Sequence, residues 1–382
     1  MDGPDLDRPR VARTMARSAA RHGVRKTMEP RHFDLLMLAL LPGLHPRQRE
    51  QLLPRADLGD VFARPGDQAE LLPETAREAL AGGALRRKAE AEVHRCAAAG
   101  VRLLAFGEAD YPPLLARIAD PPPVLWVRGA LPDPARPGVA IVGSRQATPL
   151  GRALARTMAR DLARAGVTVV SGLALGIDGE AHRGALEGRG LTVGVLGSGL
   201  ERLYPPAHAR LGEDVVAHRG ALVSEFPLQD HPTKWNFPRR NRVIAGWSLG
   251  TVVVEAAARS GALVTARLAL EEGREVMAVP GHPSTPTAEG TNALIRDGAA
   301  LVRGAADVAQ ELGLEWDAAA AAPPAATGEP LLDALASRVP LSLDELQARS
   351  GLPVPELLQR LSALELEQRV QRLPGALFVR GN

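Results

Sequence analysis

Residues 139–186, VAIVGSRQATPLGRALARTMARDLARAGVTVVSGLALGIDGEAHRGAL, decide the fold of this chain. Two short runs, VAIVG (139–143) and VTVVSG (167–172), are rich in β-branched residues and apolar on both faces. Each passes through a small-residue turn into a segment of helical periodicity, Gly151 to Ala165 and then Gly179 to Gly188. A strand without a polar face belongs in a parallel sheet covered by helices on both sides. The unit recurs downstream with strands LTVGVLG (191–197), TVVVEA (251–256) and EVMAVPG (275–281), and a helix from Thr265 to Glu272. This alternation predicts an α/β domain over 101–312 built on a doubly wound parallel sheet. Two further strands, VRLLAF and VLWVRG, flank the Pro-rich link Pro121 to Pro123 at its start.

On either side of this domain the pattern changes. Residues 1–30 carry charge but almost no large apolar side chains and are expected to be a basic, poorly ordered extension, with Met28 an equally good start. Over 31–100 the periodicity is helical, and the Pro42-Gly43 turn predicts a small helical domain of the sterile-alpha-motif or helix-hairpin-helix kind. The hairpin either offers backbone N–H groups to a phosphate or packs only on itself. An Ala/Pro linker follows at 313–328. Over 329–382, three short helices and two weak strands around Pro374-Gly375 predict a winged helix. Its segment Val354 to Leu366 sets Arg360 beside Glu356, Glu365 and Glu367, a poor charge pattern for reading duplex DNA.

Composition narrows the function by exclusion. The formal net charge is +2 with a pI near 9.0, and all but Lys26, Lys88 and Lys234 of the 46 basic residues are arginine. That is compositional bias rather than a global nucleic-acid signal, because basicity implies binding only where it clusters. A single cysteine, Cys96, forms no internal disulfide and no thiolate metal site. Neither an 18-residue apolar run nor a signal-peptide pattern is present, so a cytoplasmic protein without membrane attachment is expected. In GVLGSGLER the third glycine of a dinucleotide fingerprint is replaced by Arg202, and no P-loop motif occurs. Asp178 and His182 are four residues apart, but Asp178 is well placed to cap a helix. Ser171 and Ser260 have no evident base partner. The reading is a protein with no catalytic residues, no metal and no cofactor.

What remains is an anion-binding rim. The turns at Gly143 to Arg145, Ser171 to Asp178, Gly197 to Leu200, Glu255 to Thr265 and Pro280 to Pro283 fall where doubly wound sheets bind ligands. The stretch FPRRNRVIAGWS (237–248) places Arg239, Arg240 and Arg242 at the start of a helix expected to open at Arg240. Cations at that end oppose the macrodipole, and an anionic ligand would compensate. Together with Arg145, Lys234, Phe237 and Arg267, and with Trp235 interleaved, these residues suit single-stranded nucleic acid, which needs cations for phosphates and rings for bases. The competing explanation is a set of buried ion pairs, with Glu225 and Glu255 as partners and Arg242 holding Glu255.

These blocks, in order VAIVGSRQATPLG, VVSGLALGIDGEAHRGAL, VGVLGSGLERLYPP, SEFP, FPRRNRVIAG, VVVEAAARSGALVTARLALEEGREVMAVPG and EGTNALIRDGA, resemble the DNA-processing protein A (DprA, or Smf) family over about 103–305. The resemblance implies a Rossmann-like domain flanked by accessory domains. It also implies a cytoplasmic, non-catalytic protein that binds incoming single-stranded DNA during natural transformation, loads a RecA-type recombinase onto it, and forms a homodimer through the Rossmann-like domain. Matched by position, the DNA-contacting residues are Gly143, Ser144, Arg145, Ser171, Gly172, Lys234, Phe237, Arg239, Arg240, Asn241 and Arg242. Two features depart from the family: residues 1–30 have no counterpart, and Gln368 replaces a glycine often found before the wing. A second reading, a nucleotide-handling enzyme of the lysine-decarboxylase-like phosphoribohydrolase type, would require P-G-G-x-G-T-x-x-E, which PGHPSTPTAEGTN does not supply.

Overall fold

A computed structural model describes residues 28–316, 329–335, 341–373 and 375–380. Most of the basic extension and of the Ala/Pro linker lies outside the described residues. The strands of the α/β region are β1 (Arg102–Ala105), β2 (Val124–Gly129), β3 (Gly138–Val142), β4 (Thr168–Ser171), β5 (Thr192–Leu196), β6 (Ala221–Ser224), β7 (Gly250–Val253), β8 (Glu275–Ala278) and β9 (Ala300–Leu301). They form one sheet in the order β1-β2-β6-β5-β4-β3-β7-β8-β9. Pairing is parallel from β6 through β9, whereas β1 and β2 run antiparallel at one edge. From β3 the chain winds outward through β4, β5 and β6, then returns to place β7 on the other side of β3. The topological switch point therefore lies between the carboxyl ends of β3 and β7.

Strands β3, β4, β5 and β7 are buried along their whole length. In β3, Ala140 and Val142 face a core formed with the helices Asn236–Trp247 and Gly261–Glu271, while Val139 and Ile141 face Met158, Leu162 and Ala181 of the helices Pro149–Arg164 and Ile177–Glu187. This two-residue alternation between two apolar layers is what the continuous β-branched runs encode. Strands β6 and β9, and the helices Ala209–Ala217, Glu289–Arg296 and Ala305–Glu311, are additional to the expected set.

Among the described residues, five α-helices precede the sheet, Pro30–Leu40, Pro46–Leu52, Leu58–Ala63, Glu74–Ala81 and Ala84–Ala98. Their apolar faces share one core with Trp126 of β2 and with Leu196, Leu222 and Leu228. Glu92 pins the junction. Buried to 1% exposure, its Oε1 accepts hydrogen bonds from Trp126 Nε1 (2.8 Å) and the Leu228 N–H (2.7 Å), and its other oxygen meets Arg95.

The C-terminal region packs around its own core of Leu331, Leu346, Leu357, Leu361 and Phe378. Its helices Pro330–Ala334, Leu343–Ser350 and Val354–Leu366 are joined by β10 (Leu341–Ser342), β11 (Val370–Leu373) and β12 (Leu377–Arg380), in the order β10-β12-β11. A capping box between Ser342 and Glu345 opens the second helix. Arg360 is held by Glu329 and Glu356. Gln368 adopts φ +59, the left-handed region, which is the physical reason a glycine suits that position. Among the described residues no helix is long and apolar enough to cross a membrane.

Candidate nucleic-acid interface

At the switch point a cleft of about 860 Å³ opens over the carboxyl ends of β3 and β7. Gly143, Ser144, Arg145, Lys234, Phe237, Arg240 and Asn241 of the expected site line it, joined by Tyr204, Arg259, Ser260 and Thr265. Both Asn236–Trp247 and Gly261–Glu271 begin at this cleft, the second capped by the Ser260 hydroxyl, which accepts from the Ala262 N–H at 3.3 Å. Two positive dipole ends therefore face the same space.

The first of these helices opens at Asn236, not at Arg240. Arg240 and Arg242 consequently sit beyond its first turn, where the macrodipole penalty has fallen away, and Arg239 closes that turn. Pro238 misdirects the sequence reading: a proline after Phe237 looks like a helix boundary, yet in the first turn its missing N–H costs nothing.

The three arginines then diverge, because successive residues on a helix point about 100° apart. Arg240 projects inward under the cleft and is 4% exposed. Its Nη1 donates to the carbonyls of Gly172 (2.9 Å) and Val195, and its Nε to Asn241 Oδ1 (3.3 Å). Among the described residues no carboxylate lies within 4.0 Å of it. Burial pushes this guanidinium down to about 10, opposed by the more distant Asp178 and reinforced by Arg145. It is thus a buried cation facing a cleft without a paired acid.

Arg242 instead joins Glu225 and Asp120 on the other flank, where Asp120 also holds Arg49 in a two-point pair with contacts of 2.9 and 2.8 Å. Arg239 lies 2.9 Å from Glu225 with its guanidinium over the Phe226 ring. Neither lines the cleft. Arg267 points away on an exposed helix face and pairs with Glu271. These placements revise the expectation that all the arginines face one anion. The partner expected for Arg242 is also different: Glu255 accepts from the N–H and hydroxyl of Thr148, and Glu225 takes the arginine.

Ser171 and Gly172 form the floor without lining the cleft. Ser171 is fully buried and donates to the Ile141 carbonyl at 2.7 Å. Gly172 lies between Arg240 and Asp178, and a Cβ there would come within 2.6 Å of the guanidinium and 2.7 Å of the carboxylate. Asp178 is not the helix cap expected from sequence. It occupies the second residue of Ile177–Glu187, and its Oδ2 accepts from the Gly172 N–H at 3.0 Å. Burial pushes its carboxyl up, against Arg240 and that hydrogen bond. With Arg145, Lys234, Arg240 and Arg259 around this single buried acid, the cleft is electropositive.

Rings complete the wall. Arg145 stacks over Phe237 at 5.4 Å from the ring centre, and Tyr204 approaches the same ring at 5.8 Å. Phe237 is wedged against Gly197, where a Cβ would come within 2.7 Å of it. Sequence reasoning did not select Tyr204 or Arg259. Arg259 lies in a turn it had singled out, Glu255 to Thr265, whereas Tyr204 lies four residues past the turn Gly197 to Leu200, within the block VGVLGSGLERLYPP. Among the described residues, no group of three or more His, Cys, Asp or Glu side chains is arranged to hold a metal.

Comparison with known proteins agrees with this architecture. The family described as DNA recombination-mediator protein A matches residues 102–313, and the DprA winged helix domain matches 317–376. Protein Smf of Escherichia coli is 44% identical over 277 residues, covering 69% of this chain and 74% of that protein. DNA processing protein DprA of Bacillus subtilis is 40% identical over 215 residues, 56% of this chain and 72% of that one. The X-ray structure of DNA processing protein A from Streptococcus pneumoniae superimposes with a TM-score of 0.62 at 31% identity, covering 76% of this chain and all of that one. With more than half its length matched by the family and these relatives aligned over most of their own, this chain belongs to the DNA recombination-mediator protein A (DprA/Smf) family.

Proposed function

We propose that the cleft binds single-stranded DNA and that the chain is a non-catalytic mediator. In this role it shields incoming strands in the cytoplasm during natural transformation and passes them to a RecA-type recombinase, acting as a dimer through the Rossmann-like domain. Family membership supports the general role. The observation that carries the site is Arg240, a nearly buried arginine without a paired carboxylate beneath a cleft that also presents Arg145, Lys234 and Arg259. A buried charge of that kind is costly unless an anion meets it. A phosphodiester backbone supplies one charge per nucleotide, and the adjacent rings accept bases regardless of sequence.

Titration with single-stranded and duplex oligonucleotides of equal length, across a salt series, tests this reading. Four phosphate contacts on a single strand give a log-log slope of about −3, at about 0.7 per contact. Tighter binding to single strand, with little sequence preference and that slope, is the expected result. Equal affinity for duplex, or turnover of a nucleotide at the cleft, would overturn it. The recombinase step is read separately, as faster RecA-type filament assembly on strands already coated with a single-strand-binding protein. No acceleration would remove that part alone.

A further inference from the structure

The cleft accounts for phosphates and for the Phe237 ring, but not for Trp235. This side chain precedes the helix Asn236–Trp247, makes no capping hydrogen bond, and is 75% exposed. A tryptophan buries more area than most side chains and is rarely left in water without a use. Lys234 Nζ lies 5.2 Å from the centre of its ring, so a cation and a large open π-surface stand together on the turn at the cleft mouth. On the same rim Tyr204 is 44% exposed. Phe237, in the cleft wall, already has Arg145 over its ring and Gly197 pressed against it. The exposed rings are therefore Tyr204, in the cleft lining, and Trp235, which lies outside it.

We infer that Trp235 is a base-stacking shelf for the nucleotide leaving the cleft, with Lys234 bridging to the phosphate on its cleft side. The inference rests on the single-strand reading of the cleft and extends the DNA path beyond it. Because every base has a π-face, the shelf is indifferent to sequence but requires that a base be present. An abasic strand of the same length carries the same phosphates and loses the stacking.

The experiment compares oligo-dT with an abasic oligomer of equal length, for the full chain and for Trp235→Ala and Trp235→Phe, reading both affinity and tryptophan emission. Trp126 and Trp247 are buried and Trp316 is half-buried against the sheet's core, so the quenching is assigned to Trp235 by its absence in Trp235→Ala. Expected results are quenching by oligo-dT but not by the abasic strand, and a loss of roughly 5- to 150-fold in oligo-dT affinity for Trp235→Ala. Trp235→Phe should recover part of that loss, and the salt slope should stay unchanged in both variants. Equal affinities of wild type and Trp235→Ala for oligo-dT, or equal quenching by both strands, would overturn the shelf while leaving the cleft intact. If neither strand binds the wild type, the single-strand reading itself fails and the shelf with it.

Discussion

At the residue scale the structure separates arginines that the sequence presents as one cluster. Arg242 is a structural cation: it is 8% exposed, pairs with Glu225, and donates to the Asp120 carbonyl. Replacing it by Ala strands part of the charge on Glu225, although Arg239 remains 2.9 Å away. The expected cost is about 3 kcal/mol in a denaturant melt, with single-strand affinity little changed once the protein is folded. Unchanged stability with lost binding would instead place Arg242 at the DNA. A second residue-scale prediction concerns His182. Its Nδ1 is 2.7 Å from Thr192 Oγ1, whose proton goes to the Val169 carbonyl, so Nδ1 carries a proton and donates, while Nε2 is buried without a hydrogen-bond partner among the described residues. Burial, with His208 and Arg183 adding to it, lowers its pKa to about 3. The unfolded chain therefore takes up this proton near pH 6.5 while the folded chain does not, and stability falls as pH drops from 6.5 toward 3. Between pH 6.5 and 5 the loss from this residue is about 2 kcal/mol, and His182→Gln should flatten that part of the profile. A profile with the same slope in the variant would contradict the assignment.

At the element scale, the join between the helical region and the sheet rests on few polar contacts, and Glu92 is central to them. Glu92→Ala leaves the Trp126 indole N–H and the Leu228 N–H without their buried acceptor, a loss of roughly 3 kcal/mol. Hydrogen exchange should then rise across residues 30–98 while β3 to β5 and β7 keep their protection. Uniform loss of protection, or none, would show that the two regions do not open separately. Neither the role of Glu92 nor the burial of Arg240 was legible in sequence, since both depend on partners 34 or more residues away. By contrast, β3, β4, β5, β7 and β8 were legible because each lies in a continuous apolar run. β6 is as short as β4 and β7 but its ALVS holds a single β-branched residue, and β9 is only two residues long.

At the scale of the whole molecule, the switch-point topology brings distant turns to one cleft, and the order of strands explains why. The glycine-rich turns were visible as a set because each follows a buried strand. Three of them, at Gly143 to Arg145, Ser171 to Asp178 and Glu255 to Thr265, contribute to the cleft between β3 and β7 as a consequence of the winding, whereas Gly197 to Leu200 and Pro280 to Pro283 do not line it. The same winding decides which cations belong to the site: Arg145, Lys234 and Arg259 arrive from three separate turns, while Arg239, Arg242 and Arg267, closer in sequence to one another, are turned elsewhere. The central claim is that these cleft cations meet phosphates. The most direct test is the salt dependence of single-strand binding by the double variant Arg145→Ala, Lys234→Ala, whose side chains line the cleft without an ion pair to lose among the described residues. A log-log slope flattened by about 1.4 relative to wild type, with the melting transition unmoved, is the result this account predicts. An unchanged slope and affinity in a folded double variant would contradict it.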